Sequence, residues 1–148
     1  MNKTLTFKKE LEEINIIKDA NLKYIWVGKG QDRYKGILNI IHKKPNLKSN
    51  VGIKVILYDE SNFDLNGVIK ISKGAINTDT YLKVDVLLLS ETSHVRVVPS
   101  LEILEDNVKA GHSATVKELP INEIYYLMSR GLSETEARDM LVDAFLKS

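Results

Sequence analysis

Pro99-Ser-Leu-Glu-Ile103, then Asp106-Asn-Val-Lys-Ala-Gly-His112-Ser-Ala-Thr-Val116, then Tyr125-Tyr-Leu-Met-Ser-Arg-Gly131 follow one another in the last third of this chain, and across them the pattern changes in kind. In the first segment Glu102 lies between Leu101 and Ile103, the two-residue alternation of a strand with one side in solvent. In the last the spacing is helical. Pro120 suits the first helical position, Ile121, Ile124, Leu127 and Met128 share a face, and Gly131 provides a left-handed stop. A second helix follows at once: Ser133-Glu-Thr-Glu136 is a capping box, and Ala137, Met140, Leu141, Ala144 and Phe145 recur at helical spacing. Glu134 and Glu136 complement its positive start and Lys147 its negative end. The chain thus divides into a β-rich part, residues 1–118, and a helical part, residues 119–148.

Upstream, from about Leu5 to Val116, short runs rich in β-branched and aromatic residues are separated by Gly, Asn, Asp, Ser and Lys. They are Ile14–Ile17, Leu22–Val27, Gly36–Ile41, Val51–Leu57, Gly67–Ile71, Val84–Leu89 and Leu101–Ile103. Leu11 and Ile14 are spaced so that a helix could begin there instead. Many short strands with irregular polar connections fit either a β-sandwich or a parallel β-helix. Asn66-Gly67 is the one clear hairpin pair, fewer than up-and-down strands would carry, which tilts the reading to the β-helix without settling it.

At 148 residues the chain is of ordinary single-domain size, and 43% hydrophobic and 28% charged residues are those of a globular protein. A formal net charge of +1 supplies no field for nucleic acid or anionic lipid, and neither is expected as a partner. No apolar run has the length of a signal peptide core or a membrane span, so a cytoplasmic location is expected. With no cysteine, the chain can form no disulfide and offer no thiolate to a metal or a substrate.

The C-terminal segments in this order resemble the SufB/SufD family, the scaffold subunits of SUF iron–sulfur cluster assembly. Phe63-Asp-Leu-Asn-Gly67-Val-Ile-Lys-Ile71 looks like the family's F-x-G-x-I-x-V stretch. His42-Lys-Lys-Pro-Asn-Leu-Lys-Ser49 is similar to its H-x-x-P-N-T-x-S segment, with Leu47 in place of threonine. Leu87–Ser90 and Pro99–Ile103 look like its last strand pair. The resemblance covers about Gly36 to Leu146.

This resemblance implies a mainly β fold, a right-handed parallel β-helix followed by a short C-terminal pair of α-helices. It implies a scaffold rather than an enzyme, working with a SufC-type ABC ATPase that docks on the helices and with a SufB-like paralogue or a second copy meeting near the end of the β-helix. His112 matches the family's histidine at the scaffold interface. It is the expected ligand to iron or to a transient cluster shared with a partner, and a neutral imidazole suits that task. Ser93 stands about where the SufB branch has its interface cysteine, and Ser113 where that branch has glutamate, so the chain is closer to SufD and is expected to bind no cofactor autonomously. Family members are usually more than twice as long and continue with further helix beyond the position of Ser148, which implies a short form with weakened docking of the ATPase.

Beside these expectations stand plainer ones. His112 follows Gly111 and could be a turn histidine; His94 reads as a loop residue; Pro45 and Asn46 read as a turn that leaves His42 without a ligand role. Glu102 is a second candidate ligand beside His112 or simply a solvated strand residue. Tyr125, Tyr126, Met128, Arg130, Met140 and Phe145 are the candidate partner contacts, since two short helices cannot bury them all and arginine is enriched at interface centres. The alternatives to a cluster scaffold are an adaptor of the same family without chemistry, or a carbohydrate-active β-helix enzyme using Asp79, Asp85 and Glu91.

Overall fold

A computed structural model describes residues 2–5, 7 and 10–148, the first four by their backbone alone. Thr6, Lys8 and Lys9 of the strand-like stretch lie outside them. Among the described residues nine strands precede two helices: β1 (Asn2–Leu5), β2 (Leu11–Ile16), β3 (Ala20–Gly28), β4 (Arg33–His42), β5 (Lys48–Leu57), β6 (Asn62–Ile71), β7 (Thr78–Leu88), β8 (His94–Ile103), β9 (Val108–Glu118), α1 (Ile121–Ser129) and α2 (Glu134–Lys147). Odd strands form one parallel sheet in the order β1-β3-β5-β7-β9, and even strands a second in the order β2-β4-β6-β8. The chain alternates between the two, so it winds as a β-solenoid of about 4 turns, and strands make up 55% of it.

The register shows why the strands stack this way. Leu22, Val51, Leu82 and His112 occupy one column of the odd sheet, each about 30 residues after the last. In the even sheet Tyr34, Phe63 and Val95 form another column, and Ile40, Ile69 and Leu101 a third. Because successive side chains alternate between the faces of a strand, every second residue enters the lumen. Strand β6 alternates along its whole length, with Phe63, Leu65, Ile69 and Ile71 buried. Gly67 sits among them, not in a turn: a Cβ there would lie 2.7 Å from Leu82 Cδ2 of the facing sheet. Asn66-Gly67, the one hairpin-like pair of the sequence, is therefore a strand interior at a close approach of the two sheets, in keeping with the strand read from Gly67 to Ile71.

Three features close the lumen and its corners. At the β1 end an aromatic cluster fills it, with Phe7 stacked 4.8 Å from Tyr24 and Trp26 5.2 Å from Phe63. Burial, helped by the Glu12 carboxylate, pushes the phenols of Tyr24 and Tyr34 up to about 12. In the interior a polar chain crosses between sheets, from His42 Nε2 to Ser49 Oγ (2.9 Å) and on to Thr80 Oγ1 (2.8 Å). At one corner Asn46, Asn77 and Asn107 stack: Asn77 Nδ2 donates to Asn46 Oδ1 at 2.9 Å and Asn107 Nδ2 to Asn77 Oδ1 at 2.7 Å. Asn46 and Asn77 hold φ of 60° and 55°, a left-handed conformation that asparagine tolerates better than most residues. The turn expected at Pro45-Asn46 is thus the first visible step of a ladder.

The helices differ in detail from expectation. Pro120 is the N-cap of α1 rather than its first helical residue. Only Ile124 of that apolar face is buried, while Ile121 and Met128 are exposed. Gly131 takes φ 101°, and the capping box forms with both bonds, Glu136 N–H to Ser133 Oγ at 3.2 Å and Ser133 N–H to Glu136 Oε2 at 2.7 Å. Those bonds hold the Glu136 carboxyl below its ordinary range. The segment starting at Leu11 is a strand, not a helix, because Leu11 and Ile14 pair in parallel with Ile37 and Ile40 of β4.

Candidate functional site

The solenoid ends on an open rung. In β8 the lumen-facing residues after Pro99 are Leu101 and Ile103, and in β9 the half-buried Val108 and Ala110 are followed on that face by His112, Ala114 and Val116. Their partners one rung back are sealed: Ile69, Ile71, Leu82, Val84 and Val86 are each at most 1% exposed. Among the described residues no strand stacks beyond β8 and β9, and Leu101, Ile103 and Val116 stand 36%, 40% and 50% exposed. The result is an apolar face bounded by two strand edges whose outer backbone groups have no described strand partner, a surface of the kind that pairs with another chain.

His112 lies in the middle of this face. It is in register with buried Leu82, so its side chain belongs to the lumen face of β9, where it is exposed, and its ring makes no hydrogen bond or ion pair among the described residues. Gly111 before it faces the opposite way, under the ring of Tyr81, where a Cβ would come within 2.9 Å of Tyr81 Cε2. That close cover explains why β9 needs a glycine next to its histidine. Among the inward-facing residues of β8 and β9, His112 alone carries a metal-ligating side chain.

The other sequence candidates are placed elsewhere. Glu102 faces outward on the even sheet, paired with Lys70 at 3.2 Å, so the fold does not bring it beside His112. His94 is exposed at the start of β8, and its N–H donates to Ser61 O at 3.0 Å. His42 is fully buried in the lumen, its Nδ1 has no partner, and burial pushes its pKa below the ordinary 6.5. Ser93 lies in the corner before β8, its hydroxyl donating to Ser90 O at 2.8 Å. It lines a cavity of about 310 Å³ with Leu88, Glu118, Ile121 and Arg138, and His112 is not part of that lining. Among the described residues no group of three or more His, Asp and Glu could hold a metal ion. No helix among them is long and apolar enough to cross a membrane.

On the helices, Tyr125, Tyr126, Met128 and Met140 are 65%, 57%, 39% and 50% exposed. Arg130 lies over the Tyr126 ring at 5.3 Å. Phe145 is turned the other way, half-buried against the odd sheet with Lys54 Nζ 4.6 Å from its ring centre, so it is withdrawn from that face. Two acids of the carbohydrate reading, Asp79 and Asp85, stand too far apart to act as a pair. Asp79 and Asp85 lie six residues apart on one strand, about 20 Å, whereas paired glycosidase carboxylates stand about 5–9.5 Å apart; Asp85 is moreover neutralised by Lys54 and Lys83.

The domain family described as "SUF system FeS cluster assembly, SufBD core domain" matches residues 14–145. This chain belongs to the SufBD family. An iron–sulfur cluster assembly SufBD family protein of Mycobacterium tuberculosis is 34% identical over 119 residues, which are 80% of this chain and 14% of that protein. Its counterpart in Staphylococcus saprophyticus is 32% identical over 130 residues, 88% of this chain and 28% of that protein. The Staphylococcus aureus counterpart is 31% identical over the same length and shares. The chain therefore spans well under a third of these SufBD relatives.

Proposed function

We propose that this chain is a SufD-like scaffold subunit of an iron–sulfur cluster assembly complex, acting by interaction and without a reaction of its own, in the cytoplasm. The observation that carries this reading is the placement of His112, a lone imidazole at the centre of an apolar rung that is open to a partner. One histidine cannot hold a cluster, because iron in such clusters is held by several ligands, most often thiolates. A chain without cysteine must share the site, so the partner on the open rung is a cysteine-bearing SufB-like paralogue, with a second copy of this chain as the alternative. The nascent cluster is the cargo, and His112 lends it one nitrogen.

The second contact is with a SufC-type ABC ATPase. Tyr125, Tyr126, Met128 and Met140 supply exposed aromatic and thioether surface, and Arg130 lies beside it. Large side chains of these types are the usual anchors of an interface. The test is reconstitution of the chain with the ATPase and the paralogue, followed by measurement of iron and sulfide retained. His112→Ala lowers cluster content while the complex still assembles. Unchanged cluster content would make the chain a purely structural adaptor, and failure to recover any complex would remove the scaffold reading.

A further inference from the structure

The outer wall of the odd sheet carries a charged pair that is almost as buried as the core. Lys54 and Asp85, register neighbours on β5 and β7, are 7% and 9% exposed, with Lys54 Nζ 3.0 Å from Asp85 Oδ2. What covers them is the last turn of α2 and the residue after it. Lys54 Nζ donates to Ser148 Oγ at 2.9 Å and lies 4.6 Å from the centre of the Phe145 ring, and Lys23 Nζ donates to the Leu146 carbonyl. Lys83 adds a second cation to Asp85 at 3.2 Å. Lys23 and Lys54 thus hold the last residues of α2 and Ser148 against the wall, with Lys83 beside Asp85.

Elsewhere the helices are held lightly. Ile124 and Ala137 are their only fully buried residues, and most of the remainder faces solvent. Elements with few buried contacts open separately from a core such as this lumen. We propose that the α1–α2 hairpin is a module that opens from the solenoid wall as a unit, and that Lys54, Asp85, Phe145 and Ser148 form the latch that holds it closed. The latch lies beside the hairpin's tether: Phe145 and Ser148 line one cavity with Glu118 and Pro120, which flank Leu119, whose N–H donates to Leu88 O at 3.0 Å. Releasing the latch leaves both helices held to the wall chiefly by that tether. The exposed Tyr125 and Tyr126 face moves with them while the rungs stay paired. This inference rests on contacts within the chain and stands apart from the cluster assembly reading.

Hydrogen exchange read by mass spectrometry on the 148-residue chain tests it, comparing wild type with Lys54→Met, Phe145→Ala and Lys147→Met. In wild type the α1 and α2 amides exchange through an opening that leaves β5 and β7 closed. Lys54→Met and Phe145→Ala accelerate exchange in both helices by about tenfold or more, without change in β5 and β7. Lys147→Met, which removes only the exposed pair with Asp143 inside α2, leaves the rates as they were. Phe145 lies outside the solenoid, so its variant keeps the test sound should Lys54→Met fail to fold. Exchange of helices and core strands together in wild type, equal rates in all variants, or acceleration of helices and strands alike would each overturn the latch.

Discussion

His112 stands one rung out from Leu82 in the same lumen column, yet Leu82 is fully buried and His112 is exposed. The difference is not one of strand geometry but of what lies above each residue. It sets apart two kinds of substitution, those that damage the lumen and those that damage only what docks on it.

At Gly67 the two sheets approach so closely that an added methyl group meets Leu82 Cδ2 at 2.7 Å. Gly67→Ala is expected to destabilise the fold by about 1–3 kcal/mol, because overpacking a closed core forces side chains off their rotamers. Urea unfolding measures it.

Asn77 joins two steps of the corner ladder at φ 55°. Asn77→Ala loses both side-chain bonds and meets the left-handed penalty as well, for a cost of about 2–3 kcal/mol. Asn77→Gly loses the same bonds without the penalty and falls between Ala and wild type. If the two substitutions destabilise equally, backbone strain plays no part at this corner.

His42 is buried neutral, and desolvation lowers its pKa. The unfolded chain therefore takes up the proton first, at the ordinary 6.5, and folding stability falls as pH drops through that value until the lowered folded pKa is reached. Unfolding midpoints between pH 7.5 and 5.5 should show the decline, and His42→Asn should reduce it.

Glu102 and His112 separate under mutation. Glu102→Gln breaks only a surface pair with Lys70, so stability stays within about 0.5 kcal/mol, and cluster retention by the assembled complex is unchanged. Val116→Asp puts a charge on the open rung, where it leaves the monomer folded and prevents pairing, as light scattering with the paralogue would report.

Much of the solenoid is legible from alternation, most plainly in β6, which buries one residue in two along its whole length. Strand β9 is harder to read: Lys109, Gly111, Ser113 and Ala114 are small or polar, and a rung sealed on one side only asks for little apolar bulk. Leu11 and Ile14 fit helix and strand equally until β4 supplies their partners. The position of His112 can be read as a resemblance, but not its direction, which depends on a register with residues 30 positions earlier. Lys54 and Asp85 likewise meet only through the stacking of rungs, and no local spacing announces them.

The most direct measurement is recovery of partners from cells expressing the tagged chain. The account predicts that a SUF-system ABC ATPase and a cysteine-bearing scaffold co-purify with it in stoichiometric amounts, that Tyr125→Asp with Tyr126→Asp removes the ATPase alone, and that Val116→Asp removes the scaffold alone. Recovery of neither partner by the wild-type chain would contradict it.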